Sequence, residues 1–146
     1  MYSKSGCSKA KKTAATRSVA RREVRTAAAP APVGPYAQGV ARDGVLYASG
    51  QIPLDPVTGE VVTGEIEEQT RQVLRNLRAV LEAAGSSLAH VVRASIYLTD
   101  LSLFPRVNAV YAEFMTGDPL PARSTIGVAA LPLGVGIEID VIAEIP

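Results

Sequence analysis

An α+β fold in one domain is what this sequence predicts, and three observations predict it. Residues 90–99, 122–130 and 137–145 alternate their side chains at the period of a half-buried strand. Residues 65–84 and 102–114 instead place their apolar side chains on one helical stripe. Asp43-Gly44 separates two short strand-like runs and marks a hairpin near the start. The order is ββαβαββ without internal repeat, and 146 residues suit one domain rather than two.

The elements follow in order. Ala31-Pro-Val-Gly-Pro-Tyr36 reads as an extended, proline-stiffened approach. Gly39 to Ile52 reads as the hairpin, with Val45 to Ser49 in its second strand, and Asp55 to Gly59 as a turn cluster. Ile66, Thr70, Val73, Leu74, Leu77, Val80, Leu81 and Ala84 share a stripe that Gly85 ends, which predicts the first helix. Val92, Ala94, Ile96 and Leu98 share one face of the next strand. Asp100 or Ser102 can cap the second helix, whose buried side would include Phe104, Val107, Tyr111 and Phe114. Gly117 to Pro121 is a loop. In the strand after it, Ser124, Ile126 and Val128 oppose Arg123, Thr125 and Gly127. In the last strand, Ile137, Ile139, Val141, Ala143 and Ile145 oppose Glu138, Asp140, Ile142 and Glu144. Two helices cover only one face of such a sheet. The other face, where Arg123, Thr125, Glu138 and Asp140 are expected, is too polar for a closed core and too apolar for open water. An oligomer burying it resolves the conflict.

Composition removes most familiar chemistries. Aromatic residues make up 5% and Trp is absent, so the core rests on Val, Ile, Leu and Ala. No apolar run approaches the ~20 residues of a spanning helix. Cys7 is the single cysteine and His90 the single histidine, which excludes an intrachain disulfide and argues against a zinc site of soft ligands. No metal is expected. His90 reads as structural or surface. Gly134-Val-Gly136 has neither the length nor the Lys of a phosphate loop, so no cofactor is expected either.

Charge divides the chain. Residues 1–30 hold eight basic residues against Glu23 alone, and the remainder is net acidic. The arm is rich in Ser, Ala, Thr and Arg and lacks an apolar stretch of secretory type, the composition of an organelle transit peptide. Its Arg17 to Arg25 stretch looks like the processing region of plastid or mitochondrial precursors, with the chloroplast favoured. A disordered basic tail touching nucleic acid, or an upstream start codon wrongly assigned, would produce the same composition, and a domain without its arm would be cytoplasmic. The domain proper is expected at 31–146.

A few polar residues inside strands could carry chemistry. Arg123 follows Pro121-Ala122 at the mouth of a strand, where its planar guanidinium suits a small carboxylate; by position alone it is an ordinary surface Arg. Glu138 is either a solvated acid like Asp140 or a partly buried carboxylate that polarises a water. Tyr36 is a loop anchor or a pocket wall with one hydroxyl. Asn108 lies mid-helix, where Asn is a poor helix former, and can orient another segment.

These residues also carry a resemblance. Gly34-Pro-Tyr-Ala-Gln38, Ala48-Ser-Gly-Gln-Ile-Pro53, Thr58-Gly59, Val107-Asn108, Pro121-Ala-Arg-Ser-Thr125 and Ile137-Glu-Ile-Asp140 resemble the Rid family, the reactive intermediate deaminases that hydrolyse enamines and imines. Several separated motifs agree in order and spacing from about residue 30 onward. The resemblance implies a chorismate-mutase-like fold and a homotrimer with clefts between subunits. It implies that Arg123 holds the substrate carboxylate, Glu138 handles water and Tyr36 lines the pocket. It likewise places Asn108 and the pair Ser49 and Gly50 at the pocket. Many members carry Cys where this chain has Thr125, so a cysteine nucleophile is out, while a backbone N–H or hydroxyl contact from Thr125 remains.

The activity implied is cofactor-free deamination of 2-aminoacrylate and 2-aminocrotonate through their imine tautomers, yielding 2-oxoacid and ammonia and protecting PLP enzymes. A non-catalytic module binding small 2-oxoacids or amino acids would use the same clamp. An RNA-acting translation inhibitor is the other alternative, against which the net acidic domain argues. The expected partners are the small imine and two further copies of the chain, with no membrane. Were the last two strands a simple hairpin about residues 131–136, Arg123 and Glu138 would stand roughly 20 Å apart. Either those strands are not neighbours, or the two residues meet only across a subunit boundary.

Overall fold

The computed structural model describes residues 20–146. Six strands form one mixed sheet: β1 (Arg22–Val24), β2 (Gly39–Arg42), β3 (Val45–Gln51), β4 (Val91–Leu98), β5 (Ala122–Gly127) and β6 (Ile137–Glu144). Two helices, α1 (Ile66–Ala83) and α2 (Phe104–Phe114), complete the α+β fold. The strand order is β1-β2-β3-β6-β4-β5, and only the β4–β5 pair is parallel, joined by α2. Asp43 and Gly44 both take positive φ, 51° and 75°, which gives the β2–β3 hairpin the tight turn its twist requires. Asp100 accepts a hydrogen bond from the Ser102 N–H, capping a short 3₁₀ turn that leads into α2.

Both helices pack on one face. Val73, Leu77 and Leu81 of α1 and Val107 and Val110 of α2 close a core over Leu46, Ile96, Ile139 and Val141. The uncovered face carries Tyr47, Ser95, Tyr97, Ile126, Glu138 and Asp140, polar and apolar side chains mixed. No described helix is long and apolar enough to cross a membrane.

The sheet starts earlier than the sequence suggests. Arg22–Val24 pairs with β2, Arg22 opposite Ala41 and Val24 opposite Gly39, and Val24 is only 2% exposed. Buried Gln38 fixes the following segment: its Oε1 accepts from the Thr26 N–H, and its Nε2 donates to the Thr26 and Pro30 carbonyls. The boundary expected at 30/31 therefore falls inside the folded unit. A three-residue edge strand flanked by arginines is too short to show a period. The rest of the basic arm, with Cys7, lies outside the described residues. Truncation through residue 25 is expected to cost ~2 kcal/mol from the burial of Val24 alone. A lowered urea midpoint relative to a chain lacking only residues 1–19 would show it; equal midpoints would show that β1 adds nothing.

The last two strands are not neighbours, because β4 lies between β5 and β6. This arrangement corrects the faces. Arg123 lies opposite Ala94 and Thr125 opposite Ile96, and in-register neighbours share a side. Ala94 and Ile96 are fully buried beneath the helices. Arg123 and Thr125 thus face α2, whereas Glu138, opposite Tyr97, faces away. Alternation within one strand separates its two sides without saying which is covered. At the sheet edge beside α2, a polar side chain can face a helix and still reach solvent.

Candidate functional site

The candidate residues fall into two groups on opposite sides of the sheet. Phe104, Asn108 and Tyr111 lie at i, i+4 and i+7 of α2, one stripe facing β5. They receive Arg123. Its Nη1 donates to Asn108 Oδ1 at 2.7 Å, and its guanidinium carbon lies 4.7 Å from the Tyr111 ring centre and 5.3 Å from that of Phe104. The mid-helix Asn therefore orients the strand-borne Arg123. Arg123 stands between two open clefts. One, of about 470 Å³, includes Leu101, Phe104 and Thr125; the other, of about 590 Å³, runs from Asn108 and Tyr111 to Met115, Leu120 and Pro121. The Thr125 and Tyr111 hydroxyls are buried without a hydrogen-bond partner among the described residues. Burial raises the Tyr111 pKa; the Arg123 charge, and the hydrogen bond its guanidinium would give the ionised phenol, work against that rise.

The second group centres on Glu138. Between Ala48 and Gln51 the register of β3 against β6 shifts, leaving Ser49 and Gly50 in a bulge. The Glu138 side chain lies over Gly50, where an added Cβ would come within 2.9 Å of its carboxyl carbon and overlap its oxygen. Only glycine leaves that space. Ser49 Oγ donates to the Ala37 carbonyl at 2.6 Å and its N–H to the Gln38 carbonyl, tying the Gly34–Gln38 segment to β3. Tyr36 on that segment is 48% exposed, its hydroxyl accepting from the Val33 N–H. On the other side of Glu138, the Tyr97 hydroxyl donates to Asp140 at 3.0 Å. Burial, then repulsion from Asp140, holds the Glu138 carboxyl above the usual carboxylate range. The hydrogen bond to Asp140, then burial, raises the Tyr97 phenol.

One chain does not bring the groups together. Arg123 and Glu138 are separated by two strand spacings and three residues of register, ~14 Å between their backbones, and their side chains leave opposite faces. No group of three or more potential metal-binding residues occurs among the described residues. His90 is tied to Ser87 at 2.7 Å, away from both groups. Helical periodicity assigns Phe104 and Tyr111 to the core and to nothing else. Asn108 on their stripe is the available signal, since an amide between two aromatic residues marks a face that holds a polar partner.

The family model described as Endoribonuclease L-PSP matches residues 26–145. The chain belongs to the Rid family. This Rid protein is 50% identical to a RutC family protein of Pyrococcus horikoshii over 115 residues, 79% of this chain and 90% of that one. It is 43% identical to the 2-iminobutanoate/2-iminopropanoate deaminase of Mus musculus over 126 residues, 86% of this chain and 93% of that one. The solved structure of the Rid family protein YyfA from Yersinia pestis superimposes with a TM-score of 0.83 at 46% identity, covering 86% of this chain and 99% of that one. The fold of the Rid protein is accordingly the chorismate-mutase-like α+β fold expected from its motifs.

Proposed function

We propose that this Rid protein hydrolyses 2-imino acids, the tautomers of 2-aminoacrylate and 2-aminocrotonate, at sites shared between the subunits of a homotrimer. The observation that carries the reading is the held guanidinium of Arg123 with Thr125 beside it, a seat for a small carboxylate. The name of the mouse relative supports the substrate class. The opposite placement of Glu138 and the half-polar open face support the assembly. Each cleft takes Arg123, Asn108 and Thr125 from one chain and Tyr36, Ser49, Gly50 and Glu138 from the next.

In this cleft the substrate carboxylate pairs with Arg123, and Glu138 accepts a proton from a water whose oxygen bonds to the C=N carbon. The π electrons of that bond pass to nitrogen, which takes the proton from Glu138 and becomes an amine. The carbinolamine hydroxyl then gives its proton, by way of Glu138, to the amine nitrogen; as the carbonyl forms the C–N bond breaks, leaving 2-oxoacid, ammonia and an ionised Glu138. The imine is already electrophilic, so positioning supplies much of the rate. An RNA-cleaving reading, which the family description carries, would call for clustered cations; Glu138 and Asp140 present carboxylates instead.

A coupled assay tests the activity: a threonine dehydratase supplies 2-iminobutanoate, and 2-oxobutanoate release is followed. Release no faster than without the protein would refute it. The pH profile adds a second check. Glu138 must be deprotonated to accept a proton, so activity is present above its raised pKa and is lost as pH falls through it. The acid limb is expected above the ordinary carboxylate value of about 4.3. Asp140→Asn removes the repulsion and should move that limb downward; an unmoved limb would mean another group titrates. Gly50→Ala should fold, because only the flexible end of Glu138 must give way, yet displacing that carboxylate should lower kcat by ~10²-fold. Full activity in Gly50→Ala would remove Glu138 from the reaction.

A further inference from the structure

We propose that Tyr111 and Phe104 are positioning residues that hold the Arg123 guanidinium between two aromatic rings so that it meets a carboxylate already oriented; this rests on the reading of Arg123 as the carboxylate clamp. An unrestrained Arg side chain has several rotatable bonds, and each must be fixed before a bidentate pair forms. Here the fixing is built in. The rings of Tyr111 and Phe104 lie 4.7 and 5.3 Å from the guanidinium carbon, and Asn108 engages Nη1 at its edge. With one edge so occupied and two rings beside the plane, the remaining donors are left for a ligand.

The hydroxyl does not account for Tyr111. It is 7% exposed, and its hydroxyl is buried with no hydrogen-bond partner among the described residues. Phe would fill that space without leaving a buried hydroxyl unpaired. What the position uses is an electron-rich ring beside a cation, which Tyr and Phe both supply and an aliphatic residue does not.

The test compares Tyr111→Phe, Tyr111→Leu and Phe104→Leu, measuring 2-oxobutanoate affinity by calorimetry, KM and kcat for 2-iminobutanoate, and Tm. Tyr111→Phe should keep KM and affinity and unfold no lower than the parent chain. Both leucine variants should weaken 2-oxobutanoate binding and raise KM by about tenfold, with kcat changed less. Binding of the neutral amide, 2-oxobutanamide, should not weaken in parallel. Unchanged affinity in folded leucine variants overturns the proposal, as does a Tyr111→Phe variant as impaired as Tyr111→Leu. Should Tyr111→Leu not fold, half-buried Phe104→Leu decides alone. A parent chain that binds 2-oxobutanoate but hydrolyses no imine would refute the activity and leave the affinity series to judge the holder. A chain that binds no 2-oxobutanoate refutes the clamp and the holder together.

Discussion

Replacing Arg123 with Ala is expected to lower kcat/KM for 2-iminobutanoate by ~10²-fold or more while leaving the protein folded. Truncating one partner of a desolvated, hydrogen-bonded ion pair costs about 2–5 kcal/mol, and each 1.4 kcal/mol is tenfold. The guanidinium sits at the sheet edge between two clefts, not in the Leu46–Ile96–Ile139 core, so its loss opens a surface and leaves no cavity among the strands. Arg123→Lys should rescue little. An ammonium cannot engage Asn108 and a carboxylate in one plane, and it lacks the flat face set between Phe104 and Tyr111. Steady-state kinetics with a melting curve checks both variants. A folded Arg123→Ala chain that hydrolyses the imine at the parent rate would remove the clamp.

Mixing two inactive variants should restore activity. Arg123→Ala chains keep Glu138, and Glu138→Ala chains keep Arg123; in a shared site each supplies what the other lacks. After denaturation and refolding of an equal mixture, random assembly leaves about one site in four with both residues, so about a quarter of parental activity is expected. The physical ground is the sheet itself, whose two faces carry the two residues ~14 Å apart in any one chain. Verified mixed oligomers without activity would require both residues to act from one subunit, and the shared site would fall.

Most of the fold was legible because its elements have clear periods. The stripe from Ile66 to Ala84 became α1, and the alternation in residues 137–145 became β6 with Ile137, Ile139, Val141 and Ala143 inward. β1 is hidden because three residues cannot establish a period, and Arg22 with its neighbours Arg21 and Arg25 reads as part of a basic arm. The face that carries Arg123 is hidden for another reason. The polar residues of β5 and β6 look alike in sequence, but the sheet order places β5 at an edge beside α2 and β6 in the middle. Edge and centre are properties of topology, not of any one strand. The candidate residues came from motifs, whereas their division into two groups followed only from the register. Phe104 and Tyr111 were hidden because an aromatic residue on a buried helical stripe is read as packing before anything else.

The parallel pair β4–β5 also bears on how the site comes into being. Asn108, Tyr111, Arg123 and Thr125 all belong to the continuous stretch β4–α2–β5, so a short loop closure brings them together and they can assemble early in folding. Tyr36, Gly50 and Glu138 are drawn from both ends of the domain and come together only where β6 lies between β3 and β4, a longer closure that costs ~1–2 kcal/mol more in chain entropy. The cation's surroundings are thus a local product of the chain. Those of the carboxylate exist only once the whole sheet is made.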